Sequence, residues 1–182
     1  MHSPRNSAST SRVGTLEPET LILVTVARLG IDRTTNTPVV VLKEAIGDRS
    51  VSIWIGAPEA NAIAIALQGV RPPRPVTHDL LRHVLEGLGG ELVRAAVTGV
   101  RDATYYAELL VRRGGNELAA IDARPSDAVA IALRASAPIL VAASLLRDVD
   151  AAEPEAGDAI DSRTLRSYLE RLDPQDFGRF RP

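Results

Sequence analysis

Three short runs of strand-forming residues follow one another between positions 91 and 122, and they constrain the fold more than any other feature of the sequence. The runs are Glu91–Val100, Thr104–Arg112 and Glu117–Asp122, and only a few polar or glycine residues separate them. Connections this short join antiparallel neighbours, because a parallel pair needs a crossover of about a dozen residues or more. This part of the chain therefore predicts an antiparallel meander.

Further strands and helices flank the meander. The predicted strands are Leu21–Gly30, Pro38–Lys43, Val51–Ile55 and Pro138–Val141, and the predicted helices are Pro58–Leu67, Thr77–Leu88 and 125–136. The 62–67 segment alternates like a strand, but its proline start, glycine stop and alanine content favour a helix. Thr77 is the predicted N-cap of the next helix, whose leucines and valine form one apolar face that we expect to be buried.

The chain has 182 residues, which is the size of one domain with tails. Residues 1–18 are rich in Ser, Thr, Arg and Pro and predict a disordered tail, and 19–147 form the domain. Residues 148–161 read as an acidic linker, 162–177 as a C-terminal docking helix and 178–182 as a final tail. The stripe of the docking helix consists of Leu165, Tyr168, Leu169 and Leu172.

Composition excludes several classes of protein. The chain has no cysteine, so disulfides, thiolate zinc sites, iron–sulfur clusters and cysteine nucleophiles are excluded together. No apolar run is long enough for a membrane helix and no signal-peptide layout opens the chain, so we expect a soluble, cytoplasmic protein without membrane contact. Phosphate loops of the P-loop and dinucleotide types and the Gly-x-Ser-x-Gly motif are absent, which argues against nucleotide-driven motors, Rossmann oxidoreductases and α/β-hydrolases.

The charge distribution does not indicate tight binding to nucleic acid. Residues 1–147 hold 16 Lys and Arg against 14 Asp and Glu, and 148–182 hold 5 against 9, so the body is only faintly basic. Aromatic residues make up 3% of the chain, whereas a dedicated nucleic-acid binder usually combines a basic stripe with stacking aromatics. Any contact with DNA or RNA is therefore expected to be weak and non-specific.

Three polar groups could carry chemistry, and the first is Lys43-Glu44 at the end of a predicted strand. An acid in this position either holds a metal ion or simply solvates a turn, and the residues alone favour the turn. The second group precedes and opens a helix, with Arg71 and Arg74 before His78 and Asp79. Backbone N–H groups at a helix start attract phosphate, and two arginines add charge there; the alternative is a surface pair between Asp79 and its i+4 partner His83.

The third group, Asp122-Ala123-Arg124-Pro125-Ser126-Asp127, is the most informative. Two carboxylates flank an arginine in a turn from strand to helix, where hard divalent cations and phosphate oxygens find ligands. Carboxylate-bound Mg²⁺ or Mn²⁺ together with arginine would supply what phosphodiester hydrolysis requires. The structural alternative is that Ser126 or Asp127 caps the helix while Asp122 pairs with Arg124.

One internal similarity occurs at an offset of 66, between residues 61–67 and 127–133. Five of the seven positions are identical in the printed sequence, and each copy follows a strand and a proline. Two strand–loop–helix units could therefore be pseudo-equivalent, but alanine-rich helices also resemble one another by chance.

In this order, several motifs resemble the bifunctional nuclease domain family, and the ending 169–177 resembles the tail of bacterial members. The motifs are Val41-Leu42-Lys43-Glu44, Ile53-Trp54-Ile55-Gly56, Glu59-Ala60, residues 74–80, residues 102–107 and residues 121–128. The resemblance implies an α+β domain with a curved, largely antiparallel sheet and three or four helices, a tendency to form homodimers, and degradation of both DNA and RNA. The apolar character of Pro58–Leu67 on all sides favours a partner copy independently, unless the C-terminal helix covers it.

Carried over motif by motif, the resemblance nominates Glu44, Glu59, His78, Asp79, Asp122, Arg124 and Asp127. Their roles in a divalent-metal nuclease of low sequence specificity are inferred from their chemistry, and Arg71 and Arg74 are added for their charge before the helix start. The expected metal ligands are Asp122, Asp127, Glu44, Glu59 and Asp79, the expected catalytic residues are Asp122, Asp127, Glu44 and His78, and the expected phosphate-binding residues are Arg74, Arg124 and Arg71. The alternative is a non-catalytic dimeric module that binds nucleic acid, a small ligand or a protein. Convergence of Asp122 and Asp127 with one of Glu44, Glu59 or Asp79 within coordination reach distinguishes the two, and scattered acids would favour the module.

Overall fold

The computed structural model describes residues 19–148, which form one mixed sheet of seven strands with three α-helices. The strands are β1 Leu21–Asp32, β2 Thr37–Glu44, β3 Ser50–Trp54, β4 Glu91–Arg101, β5 Thr104–Arg113, β6 Glu117–Ala123 and β7 Ile139–Ala142. The helices are α1 Ala57–Leu67, α2 Thr77–Gly87 and α3 Pro125–Ala135. The segments predicted for the tails, the linker and the docking helix lie outside the described residues, apart from Asp148.

The strand order is β3-β2-β1-β7-β4-β5-β6, and the predicted meander forms one half of the sheet. Only β4 and β7 run parallel, and the other five neighbouring pairs are antiparallel. β7 follows α3 and enters the middle of the sheet, where it joins the meander to the β1–β3 half. The α+β class, the single domain and the largely antiparallel sheet are therefore confirmed.

The apolar residues of helix α1 are covered by other elements of the same chain. Ala60 and Ile63 are fully buried, and α1 packs against both β2 and α3. α1 and α3 are also the helices that contain the similar segments 61–67 and 127–133, and both have a proline in the first turn. The apolar sides of α1 therefore give no reason to expect a partner copy there.

Helix α2 differs from its prediction in two respects. Thr77 is its first helical residue rather than its N-cap, which is Val76, and the Val76 N–H donates to Asp79 Oδ2 at 3.1 Å. The expectation of a buried apolar face is wrong, because no residue of α2 is buried and Leu88 is 83% exposed. The physical reason is that polar side chains join α2 to α3, so most of its apolar stripe is left toward solvent; only Leu85 packs on the core.

Within residues 19–148, no helix combines the length and the apolar character needed to cross a bilayer.

Candidate nucleic-acid cleavage site

A cavity of about 650 Å³, here called the acidic cavity, lies where β6 ends and the three helices begin. Glu59 from α1, His78 from α2, Asp122 from β6, and Arg124 and Asp127 at the start of α3 all line it. These five residues come from three separate motifs of the sequence, and folding brings them together. Asp122 and Asp127 thus meet one further acid, Glu59, around a single space.

The local structure explains why these side chains face one another. Glu59, His78 and Asp127 each occupy the first turn of a different helix. The free N–H groups and the positive dipole end of a helix favour acids in the first turn, and they also favour bound phosphate. Pro125 stands at the first position of α3 and fixes the direction in which the chain leaves β6.

Arg124 is the centre of the ionic contacts in the acidic cavity. Its Nε donates to Asp127 Oδ2 at 2.7 Å and its Nη2 to Asp127 Oδ1 at 3.1 Å, while Nη2 lies 2.9 Å from Glu59 Oε1. The Asp127 carboxylate raises the pKa of Arg124 above its usual value, and burial opposes that shift. The Arg124 side chain remains 66% exposed, and its Nη1 has no acceptor among the described residues.

Asp127 holds His78 as well as Arg124. His78 Nε2 lies 3.1 Å from Asp127 Oδ1, and the His78 side chain is 14% exposed. Burial raises the pKa of Asp127, but the hydrogen bonds from Arg124 and His78 outweigh it, so the net pKa is below its ordinary value of 3.8. An ionised carboxylate can only accept, so Nε2 carries the proton and Nδ1 is the basic atom of neutral His78.

Asp122 is the acid in the cavity that protein groups leave free. Its side chain is exposed, and within the described part of the chain it forms no hydrogen bond or ion pair. The suggested pairing of Asp122 with Arg124 does not form, because Arg124 binds Asp127 and Glu59 instead. Neither Ser126 nor Asp127 caps α3 through its side chain.

The charges in the cavity restrict how a metal ion can fit. Three carboxylates against one guanidinium leave a net charge of −2 with His78 neutral. Between residues 19 and 148, no three His, Asp or Glu side chains are arranged to hold a metal ion by themselves. A protein cage for a metal therefore does not fit, and the three acids do not converge within coordination reach of one ion. The residues present are compatible with Mg²⁺ that one or two carboxylates and a substrate phosphate would hold together, and Asp122 is the carboxylate that no group among the described residues binds.

The remaining nominated residues lie elsewhere. Glu44 does not line this cavity, because it lies on β2, which is five places from β6 in the sheet. Its carboxylate binds the Arg49 guanidinium at 2.6 Å instead. Asp79 binds Arg134 at 2.6 Å instead of His83. Asp79 and Arg71 line a second cavity, described below, and Arg74 is exposed and lines neither cavity.

Arg134 is a polar residue that the sequence did not single out. It lies near the end of α3, its side chain is only 6% exposed, and its Nη1 donates to the Ala130 carbonyl at 2.8 Å. Its position in the last turn of a mostly apolar helix resembles an ordinary C-terminal cation, which complements the helix dipole. Nothing local to the sequence signals that its partner is on α2.

Comparison with known proteins agrees with this picture. The model of the bifunctional nuclease domain matches residues 40–154. An uncharacterized protein of Mycobacterium tuberculosis is 39% identical over 162 residues, covering 85% of this chain and 96% of that protein. Two rice proteins match shorter stretches: bifunctional nuclease 1 of Oryza sativa subsp. indica, 33% identical over 42% of this chain and 24% of its own length, and bifunctional nuclease 2 of Oryza sativa subsp. japonica, 29% identical over 60% and 36%.

The family match covers more than half of the chain and includes every residue that lines the acidic cavity. The protein therefore belongs to the bifunctional nuclease domain family.

Proposed function

We propose that this protein is a nuclease that hydrolyses phosphodiester bonds in DNA and RNA with low sequence specificity, in the presence of Mg²⁺ or Mn²⁺. The observation that carries the proposal is the convergence of a free carboxylate, a carboxylate-bound histidine and a half-free guanidinium in one cavity. Membership of the family and the names of the rice relatives support the same reaction class.

Arg124 is the group that binds the scissile phosphate in this proposal. Its Nε and Nη2 are occupied by Asp127 and Glu59, whereas Nη1 has no acceptor among the described residues. The two acids fix the plane of the guanidinium, so that it is preorganised to stabilise the charge that develops on the phosphate oxygens. Contact through the backbone phosphate carries no sequence information, which agrees with low specificity.

His78 is the proposed proton acceptor. Asp127 holds its Nε2–H, which fixes the tautomer and leaves Nδ1 to take a proton from the attacking water. Asp127 stays ionised near neutral pH, because its pKa is lowered, and it therefore stabilises the imidazolium that forms.

Asp122 is proposed to hold the divalent cation together with the phosphate. A bound Mg²⁺ or Mn²⁺ would supply positive charge beside the phosphate and lower the pKa of a water molecule. The net charge of −2 in the cavity is the electrostatic reason for this requirement, since the acids repel a phosphodiester unless a cation accompanies it.

The test compares cleavage of plasmid DNA and of single-stranded RNA by the full chain, with Mg²⁺, with Mn²⁺ and with excess chelator. The expected result is cleavage of both substrates that the chelator abolishes. The Asp122→Asn variant is prepared in the same way, because a contaminating nuclease would be equally active in both preparations. Equal activity of the two proteins contradicts the proposal.

A non-catalytic dimeric module is the second candidate, and two observations favour it. The first is that no three His, Asp or Glu side chains between residues 19 and 148 are arranged to hold a metal ion. The second is an exposed apolar stripe. Leu80, Leu81 and Val84 on α2 are between 47% and 56% exposed, and Leu81 also lines the acidic cavity. An exposed apolar stripe beside a polar cavity is typical of a contact surface. Sedimentation of the wild-type protein and of the Val84→Asp variant tests dimer formation. The module is favoured if the wild-type protein is a dimer that Val84→Asp dissociates and if it does not cleave nucleic acid.

A further inference from the structure

A second cavity of about 670 Å³, here called the basic cavity, lies on the other side of the first turn of α2. It is bounded by the end of α1, the segment that leads into α2, and the last turn of α3. Ile65 of α1 lines both cavities, so the two are neighbours that share part of a wall.

The charge of the basic cavity is opposite to that of the acidic one. Arg71, Arg82, Arg134 and His83 line it against a single acid, Asp79. Three guanidiniums and one carboxylate give the basic cavity a net charge of +2 with His83 neutral, compared with −2 in the acidic cavity. A polyanion is therefore attracted to the basic cavity, and the acidic cavity by itself repels it.

Arg134 shows that this cavity has donors to spare. Its Nε donates to Asp79 Oδ1 at 2.6 Å and its Nη1 to a backbone carbonyl, but its Nη2 is buried without an acceptor within the described residues. A buried donor without a partner is destabilising, and the great majority of such groups are satisfied in folded proteins. A phosphate oxygen bound in the cavity would supply the missing acceptor once the Arg134 side chain turns toward it.

Two further arginines, Arg71 and Arg82, line the same cavity. Arg71 is exposed and forms no ion pair or hydrogen bond among residues 19–148. Arg82 gives one nitrogen to Glu86 at 2.7 Å, and its other terminal nitrogen lies 2.9 Å from His83 Nε2. Arginine binds phosphate through two parallel N–H groups, and Arg71 offers that geometry without breaking the pair of Arg134 and Asp79, while Arg82 adds positive charge beside it.

The remaining wall is aliphatic. Val70, Pro72 and Leu133 line it, with no Phe, Tyr or Trp among the lining residues. Such a wall accommodates a sugar and the edge of a base by apolar contact without reading the base, because base edges are discriminated by hydrogen bonds. The volume and the lining suit one nucleotide unit with its phosphate.

We infer that the basic cavity is a nucleotide subsite that binds a backbone phosphate of a nucleic-acid strand and so presents a neighbouring phosphate to the acidic cavity. The second half of this inference rests on the proposed nuclease function, and the first half does not. The subsite explains how a chain with a nearly neutral body brings a polyanion to a cavity that carries net negative charge.

The experiment measures binding without cleavage. Fluorescence anisotropy of a labelled single-stranded oligodeoxynucleotide is followed in excess chelator over a series of salt concentrations, for the full chain, for Arg71→Gln and for Arg82→Gln. Arg33→Gln is the matched control, because Arg33 is also exposed and is outside both cavities. Circular dichroism confirms that the variants are folded, which we expect because Arg71 and Arg82 lie on the surface side of the cavity.

The expected result is that Kd rises about tenfold for each cavity variant. The slope of log Kobs against log salt concentration falls by about 0.7 for each arginine removed, and Arg33→Gln matches the wild type. In the cleavage assay the same variants raise KM for the oligonucleotide while kcat is retained. Equal Kd values for the cavity variants and the control would overturn the subsite, even in a protein that is an active nuclease.

A second arm separates a strand from a free nucleotide. Adenosine monophosphate competes with the oligonucleotide in the same assay. We expect it to compete weakly and in the wild type more than in Arg71→Gln, because it makes one phosphate contact. Competition at the same concentration as unlabelled oligonucleotide would overturn strand positioning. Binding that depends on Arg71 in a protein that shows no cleavage would count against the nuclease function alone.

Discussion

His78 on α2 and Asp127 on α3 are 49 residues apart in the chain, and a hydrogen bond of 3.1 Å joins them. Asp127 also accepts from Nε and Nη2 of Arg124, so one carboxylate orients an imidazole and a guanidinium at the same cavity. This arrangement gives the cavity a base with a fixed tautomer and a cation with a fixed plane. The contribution of these residues to cleavage and their contribution to the stability of the fold can be tested separately.

Asp127→Asn is expected to destabilise the fold in a pH-dependent manner. The folded pKa of Asp127 lies below its ordinary value of 3.8, so the carboxylate contributes stability above that pH and loses the contribution as pH falls through the lowered folded value. Since the Asp127 side chain is 27% exposed, the loss at pH 7 is about 1–2 kcal/mol. Urea unfolding at pH 7 and below pH 3 measures it, and a difference between wild type and variant that fails to shrink in acid would contradict the assignment.

Asp122→Asn is expected to abolish cleavage and leave stability unchanged. Asp122 is exposed and unpaired within the described residues, so the free energy of unfolding changes by less than about 0.5 kcal/mol. Cleavage of DNA and RNA falls by about a hundredfold or more, because the proposed cation loses its free ligand. Asp102→Asn is the matched control: Asp102 is exposed in the β4–β5 turn with φ 48°, which asparagine tolerates.

Arg124→Lys keeps the positive charge and removes the fork. Lysine is a point charge that cannot donate two parallel hydrogen bonds to Asp127 while it contacts Glu59. We expect kcat to fall by about a hundredfold, since one preorganised donor to the developing charge is lost. Steady-state kinetics with a labelled oligonucleotide separate kcat from KM, and a change in KM alone would show that Arg124 only binds substrate.

Glu44→Gln is expected to lower thermal stability and to leave the cleavage rate unchanged. The Glu44 side chain is 7% exposed, and its carboxylate accepts from both the guanidinium and the backbone N–H of Arg49. The hydrogen bond from Arg49 lowers the pKa of Glu44, and burial opposes the shift. Thermal unfolding and the plasmid assay on one preparation test both halves, and a loss of cleavage without a loss of stability would return Glu44 to the site.

The sequence predicted the elements well, because their signals are local. Polar breaks gave the meander, and the proline and glycine boundaries of α1 outweighed an alternation typical of a strand. The sheet order was not predictable in the same way, since the insertion of β7 between β1 and β4 depends on how α3 returns across the sheet. The apolar periodicity of α2 indicated a helix, but periodicity cannot show whether the apolar face meets the core.

The site was partly predictable, because some of its residues are neighbours in the sequence. Asp122, Arg124 and Asp127 share one turn, and the other two members come from motifs that only the resemblance placed beside them. The partner of Asp79 was not predictable, because Arg134 is 55 residues away and the local alternative, His83, has the correct i+4 spacing. The structure favours Arg134 because its buried guanidinium needs a charged partner, which the partly buried Asp79 carboxylate provides.

Asp79→Ala is expected to be the most destabilising of these substitutions. It removes the acceptor of the Val76 N–H at the start of α2, and it leaves the Arg134 guanidinium, 6% exposed, without its ionic partner. An uncompensated buried charge costs about 3–5 kcal/mol, and a lost helix cap adds about 1 kcal/mol. Asp79→Asn keeps one acceptor oxygen, which can serve only one of the two donors that bind separate oxygens of Asp79, and it is therefore expected to cost less than Asp79→Ala. Urea unfolding of Asp79→Ala, Arg134→Met and the double variant isolates the pair, and free energies that simply add would show that Asp79 and Arg134 are not coupled.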